Sequence, residues 1–455
     1  MNEIDNYIYS KKDDILSDLA QLIAIPSVMG EPSENAPFGI EPKRALLKMT
    51  ELCEKSGLSV KNYENAIISA DLYAEKGIEL GILCHLDVVP VNESSWKTNP
   101  FELTEENGVL FGRGTIDDKG PAVAALYAVK CIKELNIPLK KGVRLIFGTN
   151  EENGSDDLEI YKKHEKFPPK VFTPDGSFPV INIEKGMMRS KFSGKTSENS
   201  AVLSFSGGKI PNAVPDSASV KLRGIPLENA VSAIKNDKSG AEFSAEENGG
   251  LLKIKCKGKS AHASTPETGI NAITALISLV NRLCDEPILR GLERIFPFGE
   301  TDGKSLGLSC ADESGTLSCV FSILKIENNS VSGTIDVRFP TCKSLAFVEE
   351  KECAALNSAG LSFDSFMGDE PHVVPENSDF VSQLLEVYEE NEGERGYCVA
   401  IGGGTYVHDI EGGVAFGAER GDTDYNMHGD NEFITADELL KDAALFAKVI
   451  ERLLK

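Results

Sequence analysis

Short apolar runs closed by polar turns constrain this chain most. Leu80-Gly-Ile-Leu-Cys84, Val143–Gly148, Val171–Thr173 and Val414–Gly417 are each nearly continuous in apolar residues. A strand wet on one face alternates, whereas a continuous run suits a strand buried on both faces, as in a parallel sheet covered by helices. Gly120-Pro121 opens a helix after the first run, with proline where no backbone N–H is needed, and Val123, Leu126, Val129 and Ile132 share one side of it. An amphipathic helix is expected over Ile15–Ile25, stopped by Pro26, and another around Gly39–Gly57. Strands alternating with helices predict an α/β domain with a mixed, largely parallel sheet and helices on both faces.

The middle of the chain has a different pattern. Leu252, Ile254 and Cys256 alternate with Lys253, Lys255 and Lys257, which is a strand with one wet face. Leu317–Ile326 and Val331–Phe339 read as two strands joined by the turn Glu327-Asn-Asn-Ser330. Gly269–Leu283 reads as an amphipathic helix with Ile270, Ile273, Ile277, Val280 and Leu283 on one stripe. An α+β domain is therefore expected at 186–375, interrupting an α/β domain made of 1–185 and 376–455.

The 455 residues carry a net charge of −24, a field that repels phosphate backbones and anionic membranes. Neither a nucleic acid nor a membrane is thus an expected partner. The N-terminal stretch lacks the basic flank and apolar core of a secretory signal, and no apolar run approaches a membrane span. Ten cysteines occur without a CxxC pair or regular spacing, which suits reduced, buried thiols and the cytoplasm.

Five polar sites punctuate this pattern: His85-Leu-Asp87, Asp117-Asp118 before Gly120, Glu151-Glu152, Thr173-Pro-Asp175, and Met427-His428-Gly429. Each alone has an ordinary reading, as a turn histidine, a helix N-cap, a solvated pair or a turn. Together they are informative. Four are read as directly following buried strands, and His428 follows its strand after a loop; ligand sites of open α/β sheets gather at carboxyl ends of strands. One residue apart on extended chain, His85 and Asp87 face the same way, so Asp87 can orient the imidazole. Two histidines and several carboxylates suit zinc, manganese or cobalt. Asp117, Glu152 and Asp175 with a bridging hydroxide would neutralise two divalent cations, with His85 and His428 neutral.

With these residues in view, the chain resembles the co-catalytic metallopeptidases that include carboxypeptidase G, aminoacylase and acetylornithine deacetylase, and most of all their bacterial PepV-type (Xaa-His or β-Ala) dipeptidases. The resemblance rests on His85-Leu-Asp87-Val-Val-Pro90, Gly112-Arg-Gly114 through Pro121, Glu151-Glu152, Thr173-Pro-Asp175, Pro211–Asp216, Ser260-Ala-His262-Ala-Ser264, Asp336–Pro340, Gly402–Tyr406 and Met427-His428-Gly429. It implies that His85, Asp117, Asp175, Glu152 and His428 hold two metal ions, Asp117 bridging both. It further implies that Glu151 is the general base, that Asp87 orients His85, and that His262 polarises the scissile carbonyl with Asn212 nearby. Arg338 and the Gly402–Thr405 loop, with Gly403, Gly404 and Thr405, would hold the substrate's terminal carboxylate. The insertion would be a lid that replaces a partner subunit, in a monomer. The implied activity is hydrolysis of unblocked dipeptides with two divalent ions, Zn²⁺ foremost and Mn²⁺ or Co²⁺ as alternatives. A deacylase of N-acyl amino acids uses the same metals, and an inactive binding protein would keep the fold alone. A two-metal phosphoesterase would gather more basic residues than Arg113, Lys119 and Arg338. Asn150, Gly176-Ser177 and Cys84 depart from the family's usual residues without removing a ligand. His164 reads as part of a solvated segment, His372 as packing near the domain junction, and His408 as an ordinary loop residue after the Gly402–Thr405 stretch.

Overall fold

The computed structural model describes residues 2–421 and 423–455. They form two compact units: one takes in the chain up to Ile183, then Val373–Val399 and Gly404–Lys455; the other comprises Glu184–His372 and Ala400–Gly403.

The first unit is built on a mixed sheet. Strands β1 (Ser59–Tyr63), β2 (Ile67–Leu72), β3 (Ile78–His85), β4 (Gly142–Gly148), β5 (Lys170–Thr173), β6 (Val180–Glu184) and β7 (Val414–Ala415) lie in the order β1-β2-β4-β3-β5-β7-β6. The centre is parallel, through β4–β3, β3–β5 and β5–β7. The margins β1–β2, β2–β4 and β7–β6 are antiparallel.

The continuous apolar runs are explained by burial on both faces. Leu80, Ile82 and Cys84 of β3, with Val143, Leu145 and Phe147 of β4, belong to one core. Leu83, Ile146 and Val171 point to the other face and pack with Leu158 and Tyr161. The larger core holds helix α1 (Lys119–Glu134) and the C-terminal helix α3 (Ala436–Leu454), while α2 (Asp156–His164) covers the second face. Helix α3 starts sharply because Thr435 and Glu438 form a reciprocal cap, the Thr435 side chain accepting from the Glu438 N–H.

The second unit holds an eight-stranded antiparallel sheet. Its strands run Glu242–Asn248, Leu251–Lys257, Ser217–Arg223, Val202–Gly207, Ser318–Glu327, Ser330–Phe339, Gly186–Lys195 and Ser362–Asp369. Leu252, Ile254 and Cys256 are buried against helices of this unit, and the intervening lysines are not. The helix read over Gly269–Leu283 is shorter, Ala272–Asn281. The Asn271 side chain accepts from the N–H groups of Ile273 and Thr274, which starts the helix there, and Ile270 is spent on a β-bridge to Lys259.

One buried charge in this unit carries a stability prediction. Glu352, on helix Leu345–Ser358, is fully buried, and neither carboxylate oxygen has a hydrogen-bond partner. Burial pushes its carboxyl up from 4.5 to about 8, with the nearby Ser190 hydroxyl working against the rise and Asp336 adding to it. The folded state therefore holds this proton more tightly than the unfolded chain. Stability is unaffected below about pH 4.5, falls as pH rises, and levels off above about pH 8, a loss on the order of 5 kcal/mol. Glu352→Gln should raise the denaturant midpoint at pH 8.5 and change it little at pH 4.5. An unchanged midpoint at pH 8.5 would contradict a neutral buried carboxyl.

Candidate metal centre

The parallel centre of the sheet brings three of the polar sites to one edge. His85 ends β3, Glu151-Glu152 follow β4 in a short 3-10 turn, and Asp175 lies two residues beyond β5. The loop bearing Asp117 differs from the expectation. It does not follow a strand of this sheet; it follows Val109–Phe111 of a separate three-stranded sheet and leads into α1. Asp118 occupies the helix N-cap position, yet its side chain does not cap. Its carboxylate instead accepts the His85 backbone N–H at 3.0 Å, tying this loop to the end of β3.

The ligating atoms converge in two triads that share one residue: His85, Asp117 and Asp175, and Asp117, Glu152 and His428, the atoms of each lying within 4.8 Å of one another. His85 Nε2 stands 2.8 Å from Asp117 Oδ1 and 3.7 Å from Asp175 Oδ2. His428 Nε2 stands 3.0 Å from Asp117 Oδ2 and 3.2 Å from Glu152 Oε2. Asp117 thus offers one oxygen to each triad, the arrangement of a bridging carboxylate. His85 is buried, whereas the His428 side chain is 55% exposed and its backbone adopts a left-handed φ of 59°.

The donor set fits two divalent cations. Each triad pairs one imidazole with two carboxylates, and the buried Glu152 Oε1 has no hydrogen-bond partner. The electrostatics agree. Burial and then the Asp175 carboxylate push Glu151 well up, burial and Asp117 raise Glu152, and burial lifts Asp175 to about 7. Asp117 and Glu152 push His428 up to about 11, while around buried Asp117 the two imidazoles hold the carboxyl well below its ordinary value. Protein cations alone thus leave several carboxylates under mutual repulsion, which divalent ions would relieve.

Asp87 plays a wider part than expected. His85 Nδ1 is closest to the Asp87 main-chain carbonyl, at 3.0 Å, with the carboxylate at 3.5 Å. The carboxylate accepts the backbone N–H groups of Glu151 and Glu152, both at 3.2 Å. The two preceding N–H groups, of Thr149 and Asn150, donate to buried Asp157, as does the Tyr406 hydroxyl at 2.6 Å. Four successive N–H groups of this loop are therefore held by two buried carboxylates. Glu151 belongs to neither triad, which leaves its carboxylate available for proton transfer.

Other expected residues lie in the second unit and are described within it. Asn212 and His262 are neighbours there, with Ala213 bridged to His262 and the Ala263 N–H donating to the Asn212 carbonyl. His262 Nδ1 lies 2.7 Å from Ser264 Oγ. Gly402 packs so tightly on Ser264 that an added Cβ would lie 2.7 Å from the serine's own Cβ. Arg338 is already engaged: Nε donates to Asp336 at 2.7 Å and Nη1 to the Gly402 carbonyl at 3.3 Å. Nη2 also donates to Asp336, at 3.3 Å, so the fork is held in place with one further N–H on each terminal nitrogen. Gly403 belongs to this unit, whereas Gly404 and Thr405 belong to the first, where the Thr405 side chain caps the turn Tyr406–Asp409. His164 is not merely solvated, since it pairs with Glu64 at 3.0 Å and stacks on Tyr63.

Asp157, Tyr406, Arg113 and Glu432 were given no role by the sequence pattern. All four are buried around the ligand-bearing loops. Arg113, Tyr406 and Glu432 find their partners hundreds of residues away, so no local spacing marks them, whereas Asp157 holds Thr149 and Asn150, eight and seven residues before it.

Residues 81–452 match peptidase family M20/M25/M40. The Beta-Ala-Xaa dipeptidase of Lactobacillus delbrueckii subsp. lactis is 34% identical, over 98% of this chain and 97% of its own. Among solved structures, human carnosine dipeptidase 1 superposes with a TM-score of 0.61 at 18% identity, covering 99% of both chains. The dipeptidase Dug1p from Saccharomyces cerevisiae gives 0.62 at 15% identity, over 99% of this chain and 98% of its own. At these identities the two structures bear on the fold.

Proposed function

Because the chain belongs to peptidase family M20/M25/M40, we propose that it hydrolyses the peptide bond of unblocked dipeptides at a centre of two divalent metal ions. The observation that carries this reading is the pair of triads sharing Asp117. The 34% identity to a Beta-Ala-Xaa dipeptidase over 98% of this chain favours dipeptides over N-acyl amino acids. His85 and Asp175 would hold one ion, Glu152 and His428 the other, and Asp117 both.

Bound there, divalent ions lower the pKa of water to about 7 and polarise the substrate carbonyl. The chain's own residues do the rest. Glu151, held through its backbone by Asp87, takes the proton from the attacking water and passes it to the leaving amine. His262, with Asn212 beside it, is the residue assigned to polarising the carbonyl. Arg338, oriented by Asp336, offers its outer N–H groups to the terminal carboxylate, together with the Gly402–Thr405 loop. In this reading the second unit is the lid, the chain acts as a monomer, and the catalytic part comprises the two flanking segments. Zn²⁺ is the proposed metal, with Mn²⁺ and Co²⁺ compatible with the same donors. The cytoplasm is the proposed setting, in keeping with cysteines that are all free. No described helix is long and apolar enough to cross a membrane.

The test is hydrolysis by chelator-stripped protein with and without added Zn²⁺, Mn²⁺ or Co²⁺. Free dipeptides, including β-Ala-His, are compared with N-acetyl and N-succinyl amino acids. Metal-restored cleavage of the free dipeptides alone is expected. Cleavage of the acylated compounds alone would make the protein a deacylase, and cleavage of neither would leave a binding protein.

A further inference from the structure

Glu432 is a fully buried carboxylate four residues beyond His428, and its hydrogen bonds all lead to the loop that carries Asp117. Its Oε1 accepts the backbone N–H groups of Gly114 at 3.0 Å, Ile116 at 2.9 Å and Asp117 at 3.2 Å. Its Oε2 pairs with Arg113 Nη1 at 2.5 Å. Its main-chain carbonyl accepts the Gly112 N–H at 3.1 Å. Arg113 completes the stitch from the other side, because Nη2 donates at 2.8 Å to the carbonyl of Gly429, the residue after His428. The Trp96 ring lies 5.4 Å from this guanidinium.

A buried ion pair is a weak source of stability, since desolvation offsets most of the attraction. This one has a clear geometric consequence. Three N–H groups converging on one oxygen fix the backbone from Gly114 to Asp117 and hence the direction of the Asp117 side chain. The same carboxylate and its cation anchor the chain just beyond His428, at Gly429 and at Glu432 itself. We propose that Glu432, with Arg113, is a positioning residue for the metal centre, setting Asp117 against His428 so that the second ion is held. This rests on the two-metal reading above. It adds an asymmetry which that reading does not contain. The triad of His85, Asp117 and Asp175 has two ligands on β3 and just after β5, which Glu432 does not touch. In the triad of Asp117, Glu152 and His428, two of the three ligands sit on the loops that Glu432 joins.

The experiment is titration of chelator-stripped protein with Zn²⁺ alone, read by calorimetry and metal content, beside thermal melts of the metal-free forms. Wild type should bind two equivalents. In Glu432→Gln the amide nitrogen must face either the backbone N–H groups or Arg113, so the stitch opens. The second equivalent should weaken roughly 10–100-fold, as typical for loss of a partner that orients a ligand, and the first should change far less. Raising free Zn²⁺ should restore the second equivalent, which a general loss of folding would not allow. Arg113→Lys keeps a cation but cannot reach both Glu432 and Gly429, and should weaken the second equivalent in the same direction. It serves as the decisive variant if Glu432→Gln does not fold. Wild-type affinity for both equivalents in the folded variants, whatever the melting temperature, would overturn the proposal. Wild type binding no Zn²⁺ would instead overturn the two-metal reading.

Discussion

Asp117→Asn should strip both metal positions at once. The amide keeps the shape of the carboxylate but removes the charge and one of the two acceptor oxygens that the triads share. Bound zinc should fall from two per chain to below one, measured on protein dialysed against a metal buffer. Metal assistance is worth several kcal/mol of transition-state stabilisation, so turnover should fall roughly a thousandfold or more. Asp175→Asn is the control, because Asp175 belongs to one triad only and its loss should affect mainly one equivalent. Equal, single-equivalent losses in the two variants would show that Asp117 does not bridge.

Glu151→Gln should leave the metals bound and abolish most of the turnover. Glu151 stands outside both triads, while its N–H is anchored to Asp87 at 3.2 Å, so the glutamine can keep the backbone position. Only the ability to accept and return a proton is lost. Positioned general bases contribute about 100–10,000-fold. The expected result is a fall of that size in kcat with two metals retained and KM changed little. Full activity in this variant would remove Glu151 as the base. Loss of metal together with activity would place it among the ligands instead.

Some of this was legible in the chain itself and some was not, for physical reasons. Burial pattern is local information. A strand covered on both faces must be apolar at consecutive positions, so Leu80–Cys84 and Val143–Gly148 announced the centre of the sheet. A strand with one wet face must alternate, as Leu251–Lys257 does. The carboxyl ends of those strands were readable for the same reason, and with them the neighbourhood of His85, Glu151, Glu152 and Asp175. The Asp117 loop was misplaced because its apparent strand belongs to another sheet. What brings it to the site is a bond from the His85 backbone to Asp118, 33 residues away.

The sequence by itself determined the alternation of strands and helices, the change of pattern in the middle of the chain, and the residue types available for metal chemistry. Each follows from solvation or donor chemistry along a few consecutive residues. Tertiary structure alone decided which oxygen of Asp117 meets which imidazole, and that Asp87 and Asp157 hold the loop of Glu151. It also decided that Glu432, some 300 residues from its partners, stitches the Asp117 and His428 loops together. Such contacts depend on where buried N–H groups find acceptors once the core has closed, and nothing in the spacing of residues along the chain encodes that choice.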